Sequence, residues 1–250
     1  MKRRSSNWVV ASTIGETWQK FWKEAGQLPG AAWAEWAKVM ALGLGIFSLM
    51  TLGLTKLGQT VFNGPLQAWD EAMLLPITQA LPFTFAKAVT LESPGNMAYL
   101  IPLVICAVMF AVWRSRPLMA ASIAAAYLLQ YALVWIGWGV WNRARPDLIA
   151  DGLAAPGLHS FPSGHATVIT ATFGFLFYLW ARSSRNSLEQ ILAFVLFVAW
   201  TVVTSMGRLA LGAHWPSDIF AGWIIGGSWA LTMIVAFERG AAIARRQQKL

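Results

Sequence analysis

Residues 161–180, FPSGHATVITATFGFLFYLW, join a polar turn directly to an apolar run. An apolar run of this length is typical of a helix that crosses a membrane. Ser163 can cap the start of that helix, and Gly164 leaves its amide N–H exposed. Unpaired amides at a helix start attract anions. The stretch therefore predicts a spanning helix, over about 164–182, that begins with an anion site.

The rest of the chain has the composition of a membrane protein. Of its 250 residues, 57% are hydrophobic and only 12% are charged, whereas a soluble domain has about 25% charged residues. The mean hydropathy is +0.52, and many of the 15 Trp residues lie near the ends of apolar runs, as expected at a lipid interface. Six runs are long enough, or nearly so, to span a bilayer: about 37–57, 97–113, 118–140, 164–182, 189–206 and 216–237. The predicted fold class is all-α, a polytopic bundle of six transmembrane helices.

Basic residues are distributed unevenly about these six helices. One side carries fourteen of the 19 Lys and Arg residues, including those near both termini, and the other side carries Lys56, Lys87, Arg143, Arg145 and Arg208. The positive-inside rule makes the first side cytoplasmic. We therefore expect a plasma-membrane protein with cytoplasmic N- and C-termini and with its polar turns on the extracytoplasmic face. The basic residues form no continuous stripe, which argues against a nucleic-acid partner despite the net charge of +8.

Residues 1–35 are predicted to be a cytoplasmic segment that holds one amphipathic helix. Five apolar residues recur there at helical spacing: Ile14, Trp18, Phe21, Trp22 and Ala25. This pattern, ended by Pro29-Gly30, is typical of a helix lying in the membrane interface. Docking of the same helix on a partner protein is the alternative. No cleavable signal peptide is expected, because the apolar run after the first basic residues is too short.

The remaining chain is predicted to divide into two parts. Residues 36–240 form the six-helix transmembrane domain, whose motif-bearing core is 97–237, and residues 241–250 form a basic cytoplasmic tail. Within the domain, prolines interrupt residues 58–96, which are expected to form short helices that could serve as a lid. The sequence leaves the oligomeric state open.

Two polar residues stand at the start of the sixth span. Pro216 suits the first turn of a helix, so His214 should lie just before that helix and Asp218 within its first turn. At this spacing the carboxylate can accept the imidazole Nδ1–H, which fixes the tautomer and leaves Nε2 free as a nucleophile. The alternative is an aspartate favoured by the helix dipole beside a polar loop histidine.

Two arginines and a second histidine are expected at the same membrane face. Arg145 follows the third span, where Pro146 prevents the helix from continuing, and Arg208 lies at the outer end of the fifth. A guanidinium presents a planar fork that fits phosphate oxygens, although many such arginines only reach lipid headgroups. His165 follows Gly164 and could protonate a leaving oxygen of a bound phosphate.

These fragments, in this order, resemble the signature of the type 2 phosphatidic acid phosphatase family. That family also includes glucose-6-phosphatase, bacterial acid phosphatases and the vanadium haloperoxidases, and its signature runs K-x6-R-P, then P-S-G-H, then S-R-x5-H-x3-D. The chain matches the end of the first motif at Arg145-Pro146, the whole of the second at 162–165, and the third from Arg208 to Asp218.

The chain departs from this signature at two positions. Trp138 stands where the family has lysine, and Gly207 stands where it has serine. One phosphate contact is therefore missing, or Arg143 supplies it from the loop, and a hydroxyl is lost at position 207. A weakened or retuned phosphate site is the expected consequence.

The resemblance implies phosphoryl transfer without a metal or another cofactor. The residues implied to hold the phosphoryl oxygens are Arg145, Ser163, Gly164 and Arg208. His214, helped by Asp218, would attack phosphorus, and His165 would protonate the departing group before water hydrolyses the phosphohistidine. Positioning and charge stabilisation contribute most in such reactions.

The implied substrate is a membrane lipid phosphate or pyrophosphate, such as undecaprenyl pyrophosphate, phosphatidic acid or phosphatidylglycerophosphate. A phosphotransferase that passes the phosphoryl group to another lipid acceptor would use the same residues. A transporter or scaffold is disfavoured, because an anion pathway should place ionisable groups in mid-span, whereas here they gather at one face. A haloperoxidase is disfavoured because those members of the family are soluble.

Overall fold

A computed structural model of the chain describes residues 7–81, 83–149 and 159–247, with side chains from residue 13 onward. The helices of these ranges are α1 Asn7–Gln27, α2 Gly30–Thr60, α3 Asn63–Ala80, α4 Phe85–Glu92, α5 Met97–Trp113, α6 Pro117–Leu128, α7 Gln130–Val140, α8 Gly164–Ser183, α9 Ser187–Ala210 and α10 Pro216–Gln247. A 3-10 turn, Ser93–Gly95, joins α4 to α5. No strand occurs in the described ranges, and the all-α prediction is confirmed. The extreme ends of the two predicted cytoplasmic segments lie outside the described residues.

Six helical units are long and apolar enough to cross a membrane, which confirms the predicted six-span fold. These units are Gly30–Thr60, Phe85–Trp113, Pro117–Val140, Gly164–Ser183, Ser187–Ala210 and Pro216–Gln247. The second unit starts at Phe85 and not near residue 97 as predicted. Pro94 lies in the first turn of the 3-10 segment, where a proline is compatible with helical structure. The sixth continues unbroken to Gln247, past the predicted boundary at 240. Basic residues in its last turn suit the negative end of the helix dipole.

Helix α10 is the central element of the bundle and packs against α8 and α2. Gly222 and Gly226 lie on the face of α10 that meets α8. A Cβ atom added to Gly222 would lie 2.7 Å from the Cβ of Ala166 and 2.8 Å from the carbonyl oxygen of Ser163. These glycines therefore allow α8 and α10 to pack closely inside the bundle. This contact brings the starts of α8 and α10 together.

The amphipathic α1 packs on α5 and α6 through one side only. Phe21 is 7% exposed within the core, whereas Ile14 and Trp22 are 63% and 57% exposed. The predicted helix is therefore confirmed, and much of its apolar face is free of protein contacts within the described residues. Its location in the membrane interface stays a prediction.

The segment between the first two spans forms the short helices that the sequence predicts. Helix α3 lies against α9 and α10, and α4 packs along α9. The Thr84 side chain caps α4 by accepting the Lys87 amide N–H at 3.4 Å. Both helices carry a buried carboxylate towards the starts of α8 and α10, whereas a lid function stays a prediction.

Candidate active site

The start of α8 is tied to the start of α10 by a backbone hydrogen bond. The Ser163 amide donates to the Asp218 carbonyl oxygen at 3.0 Å. The Ser163 side chain accepts the Ala166 amide N–H at 3.3 Å, as predicted for a helix cap. The amide N–H of Gly164, the first residue of α8, donates to none of the described residues. The anion site expected at this helix start is therefore unobstructed by backbone pairing.

His214 lies just before α10 and is 1% exposed. Its Nδ1 is 2.9 Å from the Ser160 carbonyl oxygen. Because a carbonyl can only accept, Nδ1 carries the proton and Nε2 is unprotonated. The nearest Asp218 oxygen is 3.6 Å from Nδ1, beyond hydrogen-bond length. The expected tautomer is thus present, but a backbone carbonyl supports it where the sequence suggested the carboxylate.

The Asp218 carboxylate is fully buried and organises the loop around His214. Its Oδ2 accepts the Trp215 amide N–H at 2.8 Å and also accepts the Ser160 hydroxyl. Its Oδ1 accepts Arg143 Nη1 at 2.7 Å. Ser160 therefore connects the carboxylate to the imidazole, with its hydroxyl on one and its carbonyl on the other. Sequence analysis did not identify this serine, which lies outside the motifs.

The surroundings of His214 keep its imidazole neutral. Burial lowers the pKa of His214 to about 4, and the positive charges of Arg208 and Arg145 lower it further while Asp218 opposes the shift. A neutral imidazole with a free Nε2 is the nucleophilic form of histidine. Arg145 lies next to this loop, because its Nη1 donates to the carbonyl oxygen of Ala213, the residue before His214.

Arg145 and Arg208 each present a buried N–H without a partner. Arg145 donates from Nη1 to the Ala213 carbonyl oxygen at 2.7 Å, and Arg208 donates from Nη1 to Glu92 Oε2 at 3.0 Å. The Nε of each is buried and donates to none of the described residues. Burial also lowers the pKa of Arg145, although an arginine remains charged at physiological pH. Buried donors usually have an acceptor, so these N–H groups are suited to an incoming anion.

His165, the second residue of α8, lies beside a carboxylate and an amide from the segment between α4 and α5. Its Nε2 is 3.0 Å from Glu92 Oε2 and 2.9 Å from Asn96 Oδ1. Its Nδ1 is hydrogen-bonded to none of the described residues. Sequence analysis missed Glu92 and Asn96. Their only signal was their place between the first two spans, in a chain with just 11 acidic residues.

Arg143 lies between two buried carboxylates, Asp70 and Asp218. Its Nη1 donates to Ser217 Oγ at 2.8 Å and to Asp218 Oδ1 at 2.7 Å. Its Nη2 donates to Asp70 Oδ2 at 2.6 Å and to Gln67 Oε1 at 3.0 Å. All four terminal N–H groups are therefore engaged, whereas the buried Nε donates to none of the described residues. The side chain links two buried carboxylates, and a phosphate contact by Arg143 in place of the missing lysine stays a prediction.

Asp70, which sequence analysis also missed, is the second of these carboxylates. It comes from α3 and is fully buried. Besides Arg143, it accepts the Ser217 amide N–H at 2.8 Å and the Ser217 hydroxyl at 2.5 Å. Burial raises the pKa of Asp70, and the hydrogen bonds from Ser217 and Arg143 oppose that shift. Asp70 thereby fixes the first turn of α10, on which Asp218 lies.

Trp138, in place of the lysine, braces the turn that precedes α8. Its Nε1 donates to the Pro162 carbonyl oxygen at 3.1 Å. A Cβ atom added to Gly164 would lie 3.2 Å from Trp138 Cζ2. The indole thus supports the turn at which an anion site is predicted, and it brings no positive charge to that turn.

The protein is a membrane-spanning bundle of helices. At one face it brings together a neutral histidine, two arginines and an open helix start. These features define a class of membrane protein that is equipped to hold an anion. Residues 118–240 match the sequence model of the PAP2 superfamily, which confirms the resemblance that the three motifs indicate. The matched region includes the three motifs. Asp70 and Glu92 lie outside it.

Known proteins similar to the chain include two curated phosphatases. The lipid A 1-phosphatase of Rhizobium etli is 35% identical over 108 residues, which are 39% of this chain and 41% of that protein. The undecaprenyl-diphosphatase of Sulfolobus acidocaldarius is 29% identical over 115 residues, which are 44% of this chain and 48% of that protein. The matches therefore span less than half the length of these relatives.

A solved structure shares the fold. The crystal structure of a transmembrane PAP2-type phosphatidylglycerolphosphate phosphatase from Bacillus subtilis superposes with a TM-score of 0.59 at 19% identity. The superposition covers 79% of this chain and 96% of that chain. This likeness supports the six-helix architecture.

Proposed function

We propose that the protein is a phosphatase that hydrolyses a membrane lipid phosphate or lipid pyrophosphate. The observation that carries the proposal is Nε2 of His214, on a buried and neutral imidazole. Two arginines of the same site have Nε groups that donate to none of the described residues. The phosphatases among the relatives support the same reaction class, since their names include lipid phosphates and diphosphates as substrates.

The phosphoryl group binds through charge and through the α8 start. The groups that hold its oxygens are Arg145, Arg208, the Ser163 hydroxyl and the Gly164 amide. Preorganised donors of this kind act most strongly in the transition state, where charge spreads over the phosphoryl oxygens. Trp138 stabilises the turn that carries two of these donors, and the site needs no metal ion to balance the phosphate.

In the first chemical step, Nε2 of His214 forms a bond to phosphorus while the bond from phosphorus to the leaving oxygen breaks. The leaving oxygen keeps the electron pair and takes a proton from His165. The imidazole of His214 then carries a positive charge, which the Ser160 carbonyl and the Asp218 carboxylate stabilise. These two groups face the Nδ1–H, opposite the new bond.

In the second step, water attacks phosphorus and His165 accepts a proton from that water. The phosphorus–nitrogen bond breaks, inorganic phosphate forms, and His214 returns to its neutral state. Phosphoryl transfer of this type relies on positioning and electrostatics more than on covalent strain.

The substrate reaches the site from the extracytoplasmic face of the plasma membrane. Fourteen of the 19 basic side chains belong to the opposite side by the positive-inside rule. The site lies at the ends of spanning helices, at the level of lipid headgroups, which favours a substrate that stays in the bilayer.

The test is phosphate release by the purified protein from a panel of lipids in detergent. The panel contains lipid A bearing a 1-phosphate, undecaprenyl diphosphate, phosphatidylglycerophosphate and phosphatidic acid, each with and without EDTA. We expect release from at least one lipid, unaffected by EDTA and absent in the His214→Ala variant. Transfer of label to an added lipid acceptor, without phosphate release, would replace hydrolysis by phosphotransfer. No reaction with any lipid would refute the proposal.

A further inference from the structure

We propose that Glu92 is a positioning residue that, with Asn96, holds His165 as the proton donor to the leaving group. The inference rests on the proposed phosphatase function. It assigns a role to a side chain outside both the three motifs and the region that matches the superfamily model.

The contacts of His165 determine which ring nitrogen can give a proton away. Nε2 faces Glu92 Oε2 at 3.0 Å and Asn96 Oδ1 at 2.9 Å, and both of these atoms accept. Asn96 Nδ2 donates to Glu92 Oε1 at 3.2 Å, which orients the amide so that its oxygen faces the ring. The Nε2 proton is therefore held in place, and Nδ1 is the nitrogen that can serve a leaving group. A carboxylate on one ring nitrogen also stabilises the doubly protonated imidazole.

Glu92 is buried, which is unfavourable for a carboxylate unless it is paired. The residue is 5% exposed and Arg208, its ion-pair partner, is 8% exposed. The same carboxylate oxygen thus contacts a phosphate-binding arginine and the acid histidine. This shared contact fixes the two groups relative to each other before substrate arrives.

Two glycines admit the Glu92 segment to the site. A Cβ atom added to Gly207 would lie 2.9 Å from the Ala88 carbonyl oxygen and 3.0 Å from the Glu92 amide nitrogen. A Cβ atom added to Gly95 would lie 2.5 Å from Cδ2 of His165. At these distances neither position has room for a side chain. A larger residue at 207 would displace the end of α4, and one at 95 would displace the histidine.

The close approach of α4 explains why glycine stands at position 207. The family signature has serine there, and a serine would press on the backbone of α4 next to Glu92. Glycine at position 207 thus leaves room for the end of α4 that carries Glu92.

The decisive experiment compares two substrates that differ in the basicity of the leaving group. The leaving group of phenyl phosphate is phenolate, a basic anion that needs a proton. The leaving group of p-nitrophenyl phosphate is p-nitrophenolate, which can depart unprotonated. For Glu92→Gln we expect kcat/KM, which reports the steps up to departure of the leaving group, to fall by at least about tenfold on phenyl phosphate, within the range of general acid catalysis. We expect a change of less than about threefold on p-nitrophenyl phosphate, which gains little from general acid catalysis.

The matched control is Glu238→Gln, which breaks another arginine–glutamate pair. Glu238 is an ion-pair partner of Arg182 and lies about 36 Å along the helix from His214, at 1.5 Å per residue. This variant should leave kcat/KM unchanged on both substrates. Thermal unfolding in detergent confirms that each variant is folded.

A second variant, Gly207→Ser, tests the same contact from the opposite side. We expect the same selective loss on phenyl phosphate, and we expect the double variant with Glu92→Gln to lose less than the sum of the two. Gly139→Ser is the control, because a Cβ atom there has no neighbour within 4 Å.

Three outcomes separate the alternatives. An equal loss on both substrates, in folded Glu92→Gln protein, would overturn the inference and leave Glu92 a structural residue. A gain in kcat/KM with tighter inhibition by inorganic phosphate would also overturn it, since Glu92 would then compete for the anion site. Undiminished activity in His214→Ala would instead refute the proposed function, and the inference with it.

Discussion

The carbonyl oxygen of Ser160 lies 2.9 Å from Nδ1 of His214. A backbone acceptor cannot titrate, so the tautomer of His214 is fixed at any pH at which the loop is folded. The Asp218 carboxylate, at 3.6 Å, acts on the same nitrogen through its charge. It also holds the loop through its bonds to the Ser160 hydroxyl and the Trp215 amide. Ser160 thus fixes the tautomer, and Asp218 supplies charge and holds the loop. Both act through His214, so the loss of His214 should have the most severe effect.

Replacement of His214 by alanine should abolish phosphate release in a protein that still folds. The imidazole supplies the attacking nitrogen, and among the described histidines only His214 is hydrogen-bonded to the Ser160 carbonyl oxygen. The control is His159→Asn, since asparagine tolerates the positive φ of 77° at that position. Residual activity of His214→Ala within tenfold of wild type, about 1.4 kcal/mol in barrier, would show that His214 is not the nucleophile.

The sequence predicts the residues that lie on helix starts better than those whose side chains cross between elements. Ser163 and Asp218 follow from local rules for helix starts, and both are where those rules place them. Glu92 reaches His165 only because α4 packs on α9, more than a hundred residues further along the chain. No local pattern contains that information.

Arg143 shows the same limit in another way. Sequence spacing places it near Arg145, but spacing does not tell which way a loop side chain points. The carboxylates that determine its direction, Asp70 and Asp218, lie on α3 and α10. The six spans, in contrast, follow from composition alone, because lipid requires helices of about the predicted length.

Arg143→Ala should mainly lower stability, whereas Arg145→Ala should mainly weaken substrate binding. Removal of Arg143 leaves two buried carboxylates without their partner, which costs about 3–5 kcal/mol of unfolding free energy. Removal of Arg145 breaks one hydrogen bond to the Ala213 carbonyl and should raise KM with little change in stability. Unfolding in denaturant and steady-state kinetics measure the two effects. Wild-type stability with a raised KM in Arg143→Ala would return that residue to the phosphate site.

The buried, neutral state of His214 should set an acid limit on both activity and stability. Burial lowers its pKa from 6.5 to about 4 in the folded protein. Only the neutral ring attacks phosphorus. The decrease in kcat/KM that protonation of His214 causes should therefore begin near pH 4, and not near pH 6.5 as for an ordinary histidine.

The same shift acts on folding with a definite sign. Between pH 6.5 and about 4 the unfolded chain binds a proton at this position and the folded protein does not, so stability falls as the pH falls through this window. The full effect is about 3 kcal/mol, and it is absent above the unfolded pKa. Unfolding curves of the His214→Gln variant should be less dependent on pH in this window than those of the wild type. An identical pH dependence in the two proteins would contradict the assignment.

The proposed orientation predicts which loops a reagent reaches from outside the cell. Leu148, 40% exposed in the segment after α7, lies on the side of the site, and the exposed Ser187 starts α9 at the opposite end of the bundle. In a background where the exposed native cysteine is removed by Cys106→Ser, Leu148→Cys should react with a membrane-impermeant thiol reagent in intact cells. Ser187→Cys should react only after lysis. This expectation rests on fourteen basic side chains, and it matches a site that receives its lipid from the outer leaflet. The reverse labelling pattern would invert the topology and place the site in the cytoplasm.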